Sequence, residues 1–176
     1  GAGGPAPVGA AEPEFDVLFV GGADSDRFAF VREYLKHGPP PVLVGGYWDR
    51  DPLTRPYAAG LRSPADLARL TRAARVNVCL VRRANRDGHV MRSFEIPAIG
   101  GFMVAEDTPE HRELFGEDGA AVFYFATPAD VARHVRWAID NPAMRRDMAD
   151  AAHCLVVGAG HSYDDRLLAM MSAGRA

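Results

Sequence analysis

With 176 residues, 48% of them hydrophobic and 24% charged, the chain is long enough to bury one full core and too apolar to remain unfolded. A formal net charge of -3 argues against bulk electrostatic binding to nucleic acid or to an anionic membrane surface. Two cysteines make no disulfide framework, and no apolar run reaches the roughly 18–20 residues of a membrane span or has the order of a signal peptide, so a cytoplasmic setting is expected.

Residues 1–14, rich in Gly, Pro and Ala, read as a flexible leader or linker, and one folded domain is expected over residues 15–176. Residues 16–20 (DVLFV) are a short apolar run ending in Gly21-Gly22, the pattern of a buried strand feeding a tight turn. Residues 25–37 then place Phe28, Val31 and Leu35 at helical spacing, and Gly38-Pro39 stop the helix. Residues 42–44 read as a second buried strand ending in Gly45-Gly46, and residues 47–56, rich in Asp, Arg and Pro, read as a loop. Further strands are expected at 76–81, 102–105 and 121–125.

Four helix starts share one signature, a capping residue followed by proline: Ser63-Pro64, Thr108-Pro109, Thr127-Pro128 and Asn141-Pro142. The capping oxygen accepts from an orphan amide, while Pro occupies a position whose N–H has no partner anyway. Ser63 and Thr127 also carry Asp three residues on, a variant of the capping box. A last helix is expected from Ser162, where Ser162 and Asp165 repeat that pattern among His161, Tyr163 and Arg166. Strand–helix alternation repeated about five times predicts an α/β fold, a Rossmann-like parallel sheet with helices on both faces and a helical C-terminal segment.

In such a sheet ligands bind beyond the carboxyl ends of the strands, near the switch in strand order. The loops to inspect are therefore 21–27, 45–51, 82–92 and 106–108. Neither GxGxxG nor GxxxxGK[ST] follows the first strand, which removes the main support for dinucleotide and P-loop readings. The richest segment is RRANRDGHVMRSFEIPAIGG, residues 82–101. Gly88 permits a turn or close approach to a ligand, and a helix is expected from near His89 to about Ile96, where Pro97 disturbs it. Its free amides and positive dipole end make an anion site, which Arg92, one turn in, reinforces. Glu95 offers a carboxylate to hydroxyl groups. Structural readings stand beside these: Asp87 as a helix cap, Glu95 as the i,i+3 partner of Arg92, and the arginines as a solvated face. Asp49-Arg50-Asp51 has the spacing of a divalent-metal motif but lies in a Pro-rich loop, and no metal is expected. Cys79, inside an apolar strand, reads as packing.

Asp87-x7-Glu95 resembles the paired-acid E-x7-E motif of retaining glycosyltransferases of the two-domain GT-B architecture, with Asp in place of the first Glu. The chain is more closely similar to bacterial CgeB-like glycosyltransferases related to spore-maturation proteins. That likeness rests on FVGG with Arg27, on ANRDGHVMRSFEIPAIGGFMVAEDTPEHRELF and on HSYDDRL, spanning residues 15–168. The resemblance implies the C-terminal, donor-binding half of a GT-B enzyme. Glu95 would hold ribose hydroxyls. Asp87, Gly88, His89 and Arg92 would hold the sugar and diphosphate, with Arg92, Asp87 and His89 as the catalytic set and Arg92 foremost in stabilising the leaving diphosphate. Gly21, Gly22 and Arg27 would lie along the diphosphate, and Tyr47, Gly60 and Leu61 near the nucleobase.

The implied ligand is a nucleotide sugar such as a UDP- or GDP-sugar, with no other cofactor and no metal. An N-terminal acceptor-binding domain would be the partner, so the isolated chain is expected to bind without turning over. Two other classes remain open. A flavodoxin-like regulatory or interaction module would need a phosphorylatable Asp at the end of its third strand and a Lys near the fifth. An oxidoreductase-type nucleotide domain would need the missing glycine fingerprint.

Overall fold

A computed structural model describes residues 12–81 and 90–158. The calls for Asp87, Gly88 and His89, for the arginines 82, 83 and 86, and for a helix from Ser162 therefore lie outside the described residues. Six parallel strands form one sheet in the order β3-β2-β1-β4-β5-β6: β1 (Phe15–Val20), β2 (Val42–Val44), β3 (Ala58–Gly60), β4 (Ala74–Cys79), β5 (Met103–Glu106) and β6 (Phe123–Phe125). The order reverses between β1 and β4, which pair side by side from Phe15↔Ala74 to Phe19↔Val78. This is the Rossmann-like α/β architecture the sequence predicts, with its switch point at the β1–β4 seam.

Alternation along the strands sorts the core. Val17, Phe19, Val76, Val78 and Val104 pack in one cluster with Val31 of α1 (Ser25–Tyr34) and Val131 and Val135 of α5 (Pro128–Asp140). Cys79, Met103 and Ala105 pack in another with Phe94 and Ile96 of α3 (Arg92–Ile99), Phe115 of α4 (Pro109–Phe115), and Ala152 and Val156 of α6 (Pro142–Gly158). Leu18, Val44 and Ala74 form a third cluster, against Leu67 and Leu70 of α2 (Pro64–Ala73). Side chains two apart on a strand share a face, so α1 and α5 cover one side of the sheet, and α2, α3, α4 and α6 the other.

Three of the four expected caps are in place, while the Asn141 amide donates back to Trp137 C=O and the box expected at Ser63 has only its serine half. Ser63 accepts from Asp66 N–H, Thr108 from His111 N–H and Thr127 from Asp130 N–H, and Asp130 completes a reciprocal box by accepting from Thr127 N–H. Asp24 caps α1, taking the Arg27 amide at 2.9 Å.

Three local expectations are corrected. The edge strand β3 falls on Ala-Ala-Gly, a triplet with little strand propensity, and it pairs with β2 through a register shift. Between β2 and β3 the chain makes two 3-10 turns, Trp48–Arg50 and Arg55–Tyr57, rather than a plain loop. The helix expected near His89 begins instead at Arg92 and runs through Pro97 to Ile99. Its end is a Schellman motif: Gly100 adopts φ 93, Gly101 N–H bonds to Ile96 C=O and Gly100 N–H to Pro97 C=O. Burial of Phe94 and Ile96 outweighs the interior proline, whose pyrrolidine removes only one helical donor here.

Candidate functional site

Two loops meet at the carboxyl end of β1, beside the β1–β4 seam. After β1 the chain turns at Gly21, whose φ of 149 is followed by Gly22 and the α1 cap. Arg27, in the first turn of α1, folds back so that Nη1 donates to Gly22 C=O at 2.9 Å, and only 8% of the residue is exposed. A Cβ on Gly21 would stand 2.5 Å from that same nitrogen, so glycine is what lets the guanidinium lie across the strand end.

The loop after β2 presses against the same turn. Trp48, fully buried, donates its indole N–H to Gly21 C=O at 2.8 Å. A Cβ on Gly45, which has φ 134, would meet the Gly21 carbonyl oxygen at 2.5 Å. Tyr47 follows in a left-handed conformation at φ 73, more than half exposed, with the Arg50 guanidinium 4.2 Å from its ring centroid. Gly60, at φ 70, and the exposed Leu61 stand beyond it at the end of β3. Asp51 is committed to structure, accepting from the Arg32 guanidinium and from Leu53 N–H. Those bonds hold its carboxyl below the usual range. The metal-like Asp49-x-Asp51 spacing therefore serves a loop, and among the described residues no group of three His, Cys, Asp or Glu is placed to hold a metal.

Among the described elements, α3 follows β4 in chain order. Arg92 is the first residue of that helix and lies along α2: Nη2 donates to the fully buried Thr71 hydroxyl at 3.2 Å and Nη1 reaches Glu95 at 3.4 Å. The Glu95 side chain retains 22% exposure, more than the 12% of Arg92. The i,i+3 pairing read from the sequence is thus real, and it holds the more exposed carboxylate on the α2 side of the sheet's crest.

Behind this helix start lies a buried polar chain that sequence inspection missed. Ser93 accepts from Val90 N–H at 3.0 Å and stands 2.8 Å from His111 Nε2, and His111 Nδ1 stands 2.7 Å from Glu106 C=O. A carbonyl only accepts, so Nδ1 carries a proton, and in the neutral imidazole Ser93 then donates to Nε2. Ser93 and His111 are both fully buried, which makes the pair a brace and not a nucleophile with its base. The brace ties the entry to α3 to the end of β5. Cys79 packs 3.6 Å from Ser93 with its thiol pushed up to about 11 by burial, consistent with packing.

On the α1–α5 side a cleft of about 730 Å3 opens at the strand ends. Asp24, Asp26, Arg27 and Phe30 of α1 and its cap line it together with Leu80, Val81, Glu106 and Phe125 from the strand ends. The size is that of a small-molecule site. Glu106 is fixed in it by Val81 N–H, which donates to Oε2 at 2.8 Å and so joins the ends of β4 and β5. The structure thus splits the expected residues between two sides of one crest. Glu95, Arg92, Gly60 and Leu61 belong to the α2–α3 side, Gly21 and Gly22 to the seam, and Arg27 to the α1 side.

A family model described as glycosyl transferase-like matches residues 27–172. Among solved structures, HepE from Anabaena in complex with UDP-glucose is similar with a TM-score of 0.68 and 16% identity, the match covering 92% of this chain and 49% of that one. The structure of TarM is similar with a TM-score of 0.64 and 11% identity, covering 95% of this chain and 36% of that one. The chain thus spans half or less of the length of these proteins, and at such identities the likeness is one of fold. Comparison with curated protein sequences finds no match.

Proposed function

The chain belongs to the glycosyl transferase-like family, and on that premise we propose that it is the donor-binding half of a GT-B glycosyltransferase taking a UDP- or GDP-sugar. The observation that carries the reading is the distribution of polar groups along the crest at the switch point. Glu95 stands on one side, a glycine seam crosses the middle, and Arg27 lies on the other. A nucleotide-diphosphate sugar is an elongated ligand whose parts ask for those groups in that order.

In this reading the base lies toward Gly60, Leu61 and Tyr47, and the ribose hydroxyls donate to Glu95. The diphosphate crosses Gly21 and Gly22 beside Arg27. Asp87, Gly88 and His89, in the segment leading into α3, contact the sugar and diphosphate. Arg92 gives up Glu95 to a phosphate oxygen as Glu95 turns to the ribose. Glycosyl transfer breaks the bond between the anomeric carbon and the diphosphate, and the leaving group takes the electron pair. Fixed cations and helix N-termini favour that charge most as it grows, without a metal ion. A charge-assisted hydrogen bond of this kind contributes about 1.5–3 kcal/mol.

The acceptor would be held by a second domain, N-terminal to this one, and the full two-domain protein would be the cytoplasmic enzyme, of the bacterial CgeB-like type. This chain alone would bind donor without turnover. Among the described residues no helix is long and apolar enough to cross a membrane. Replacing Glu95 with Ala tests the ribose role: about a tenfold or greater loss of UDP or GDP affinity in calorimetric titration is expected. Affinity equal to that of the unaltered chain would refute it.

A further inference from the structure

Glu106 is the carboxylate for which the diphosphate and ribose contacts leave no task. It ends β5 and shares the strand parity of Val104, which packs with the α1–α5 core, so its side chain enters the cleft on that side. One oxygen, Oε2, is held by Val81 N–H at 2.8 Å. Among the described residues Oε1 has no hydrogen-bond partner. The backbone behind it is held as well, because His111 Nδ1 donates to the Glu106 carbonyl at 2.7 Å. The carboxylate is therefore aimed, with one acceptor oxygen presented to a cleft of about 730 Å3.

The charge says what the acceptor meets. A carboxylate repels a diphosphate, and the cation suited to that group, Arg27, comes from α1 rather than from the strand ends. Asp24, ahead of α1, is already occupied as its cap. Ala29, Phe30, Leu80 and Pro128 give the cleft an apolar part of its lining, against which the C–H face of a pyranose packs while its hydroxyls meet the polar groups. Neutral, hydroxyl-bearing and partly apolar describes a sugar ring.

Resting on the donor reading above, we infer that Glu106 is a specificity-determining residue whose Oε1 accepts from hydroxyls of a sugar lodged between α1 and the ends of β4 and β5. That sugar is either the transferred sugar of the donor or a sugar of the acceptor. The two share one chemistry and are separated by experiment.

The test uses Glu106→Gln, which keeps an oxygen for Val81 N–H and removes the charge. Affinities of UDP, UDP-glucose, GDP and GDP-mannose are measured by calorimetry on the unaltered chain and the variant, and free glucose and mannose are titrated into each diphosphate complex. The expected result is a loss of about tenfold in nucleotide-sugar affinity with the nucleoside diphosphates within twofold of their original values. This result assigns the cleft to the donor sugar. A loss confined to the free monosaccharides assigns it to the acceptor, and also supports the inference. Equal weakening of UDP and UDP-glucose, or no change in any affinity, overturns the inference and leaves the donor reading standing. Failure of every nucleotide to bind the unaltered chain overturns both. Retention of the thermal midpoint in the variant shows that the Val81 tie survives.

Discussion

At the scale of single residues, the site depends on glycines whose necessity is steric. Gly45 and Gly46 are adjacent and look interchangeable in sequence. Only Gly45 has a positive φ, 134, and only its Cβ would strike the Gly21 carbonyl, at 2.5 Å, whereas a Cβ on Gly46 meets nothing within 4 Å. Gly45→Ala is therefore expected to destabilise the chain by about 2 kcal/mol or more, and Gly46→Ala to change stability by less than about 0.5 kcal/mol. Urea unfolding midpoints measured side by side check the contrast. Equal effects would mean that the two loops do not press together as described. Sequence singled out the glycine pairs as turns, and that much was legible. Which member of the pair is indispensable depends on a contact between loops 24 residues apart, and no local pattern encodes it.

The same distinction holds for charged residues. Arg92 and Glu95 were legible as a pair because helical spacing puts i and i+3 side by side. Thr71, which also takes Arg92, was not, because it comes from another helix. The Ser93–His111 brace joins residues 18 apart and was invisible for the same reason. Glu106 fell within a loop marked for inspection by its place at a strand end, yet its aim comes from Val81 on the neighbouring strand.

At the scale of elements, local rules served well where a single residue type dominates the free energy. The Ser-Pro and Thr-Pro starts of α2, α4 and α5 could be read directly, since a cap satisfies its own backbone within three residues. They failed where tertiary packing decides. Strand β3 has no propensity signal and exists because β2 offers an edge. Helix α3 continues through Pro97 because Phe94 and Ile96 are buried on either side of β5's core contacts. Its start is set by a different device from the caps elsewhere, with Ser93 reaching back to Val90 N–H.

The α5 cap has a consequence for the site, since Ala126 and Pro128 line the same cleft as Arg27 and Glu106. Asp130 receives the amides of Ala126 and Thr127, at 2.9 and 3.1 Å, and Thr127 receives that of Asp130, at 3.2 Å. Thr127→Ala removes one half of this box and is expected to cost about 1 kcal/mol, with Thr127→Ser close to neutral. Chemical denaturation of the two variants measures the difference, and a Ser variant as unstable as the Ala one would show that the hydroxyl is not the stabilising group.

At the scale of the molecule, the parallel sheet reverses order at β1–β4, and the described residues proposed for ligand are grouped about that crest. The polar groups run across it from the α2–α3 side to the α1–α5 side, carboxylate first, then glycines and a cation, then a second carboxylate. In the proposed reading, ribose, diphosphate and sugar meet those groups in turn. Sequence periodicity was sufficient to give the layered fold, because buried parallel strands and capped helices each leave a mark. It could not give the sidedness of the crest, which depends on strand parity and on right-handed crossovers acting together over the whole chain.

The most direct test of this account is a thermal-shift comparison of the chain with UDP, GDP, ADP, NAD and FMN, each at saturating concentration. Ligand that binds only the folded state raises the unfolding midpoint, and the shift grows with the logarithm of its concentration over its dissociation constant. The account predicts stabilisation by UDP or GDP, diminished in the Glu95→Ala variant. Stabilisation by NAD or FMN, with none by any nucleoside diphosphate, would contradict it.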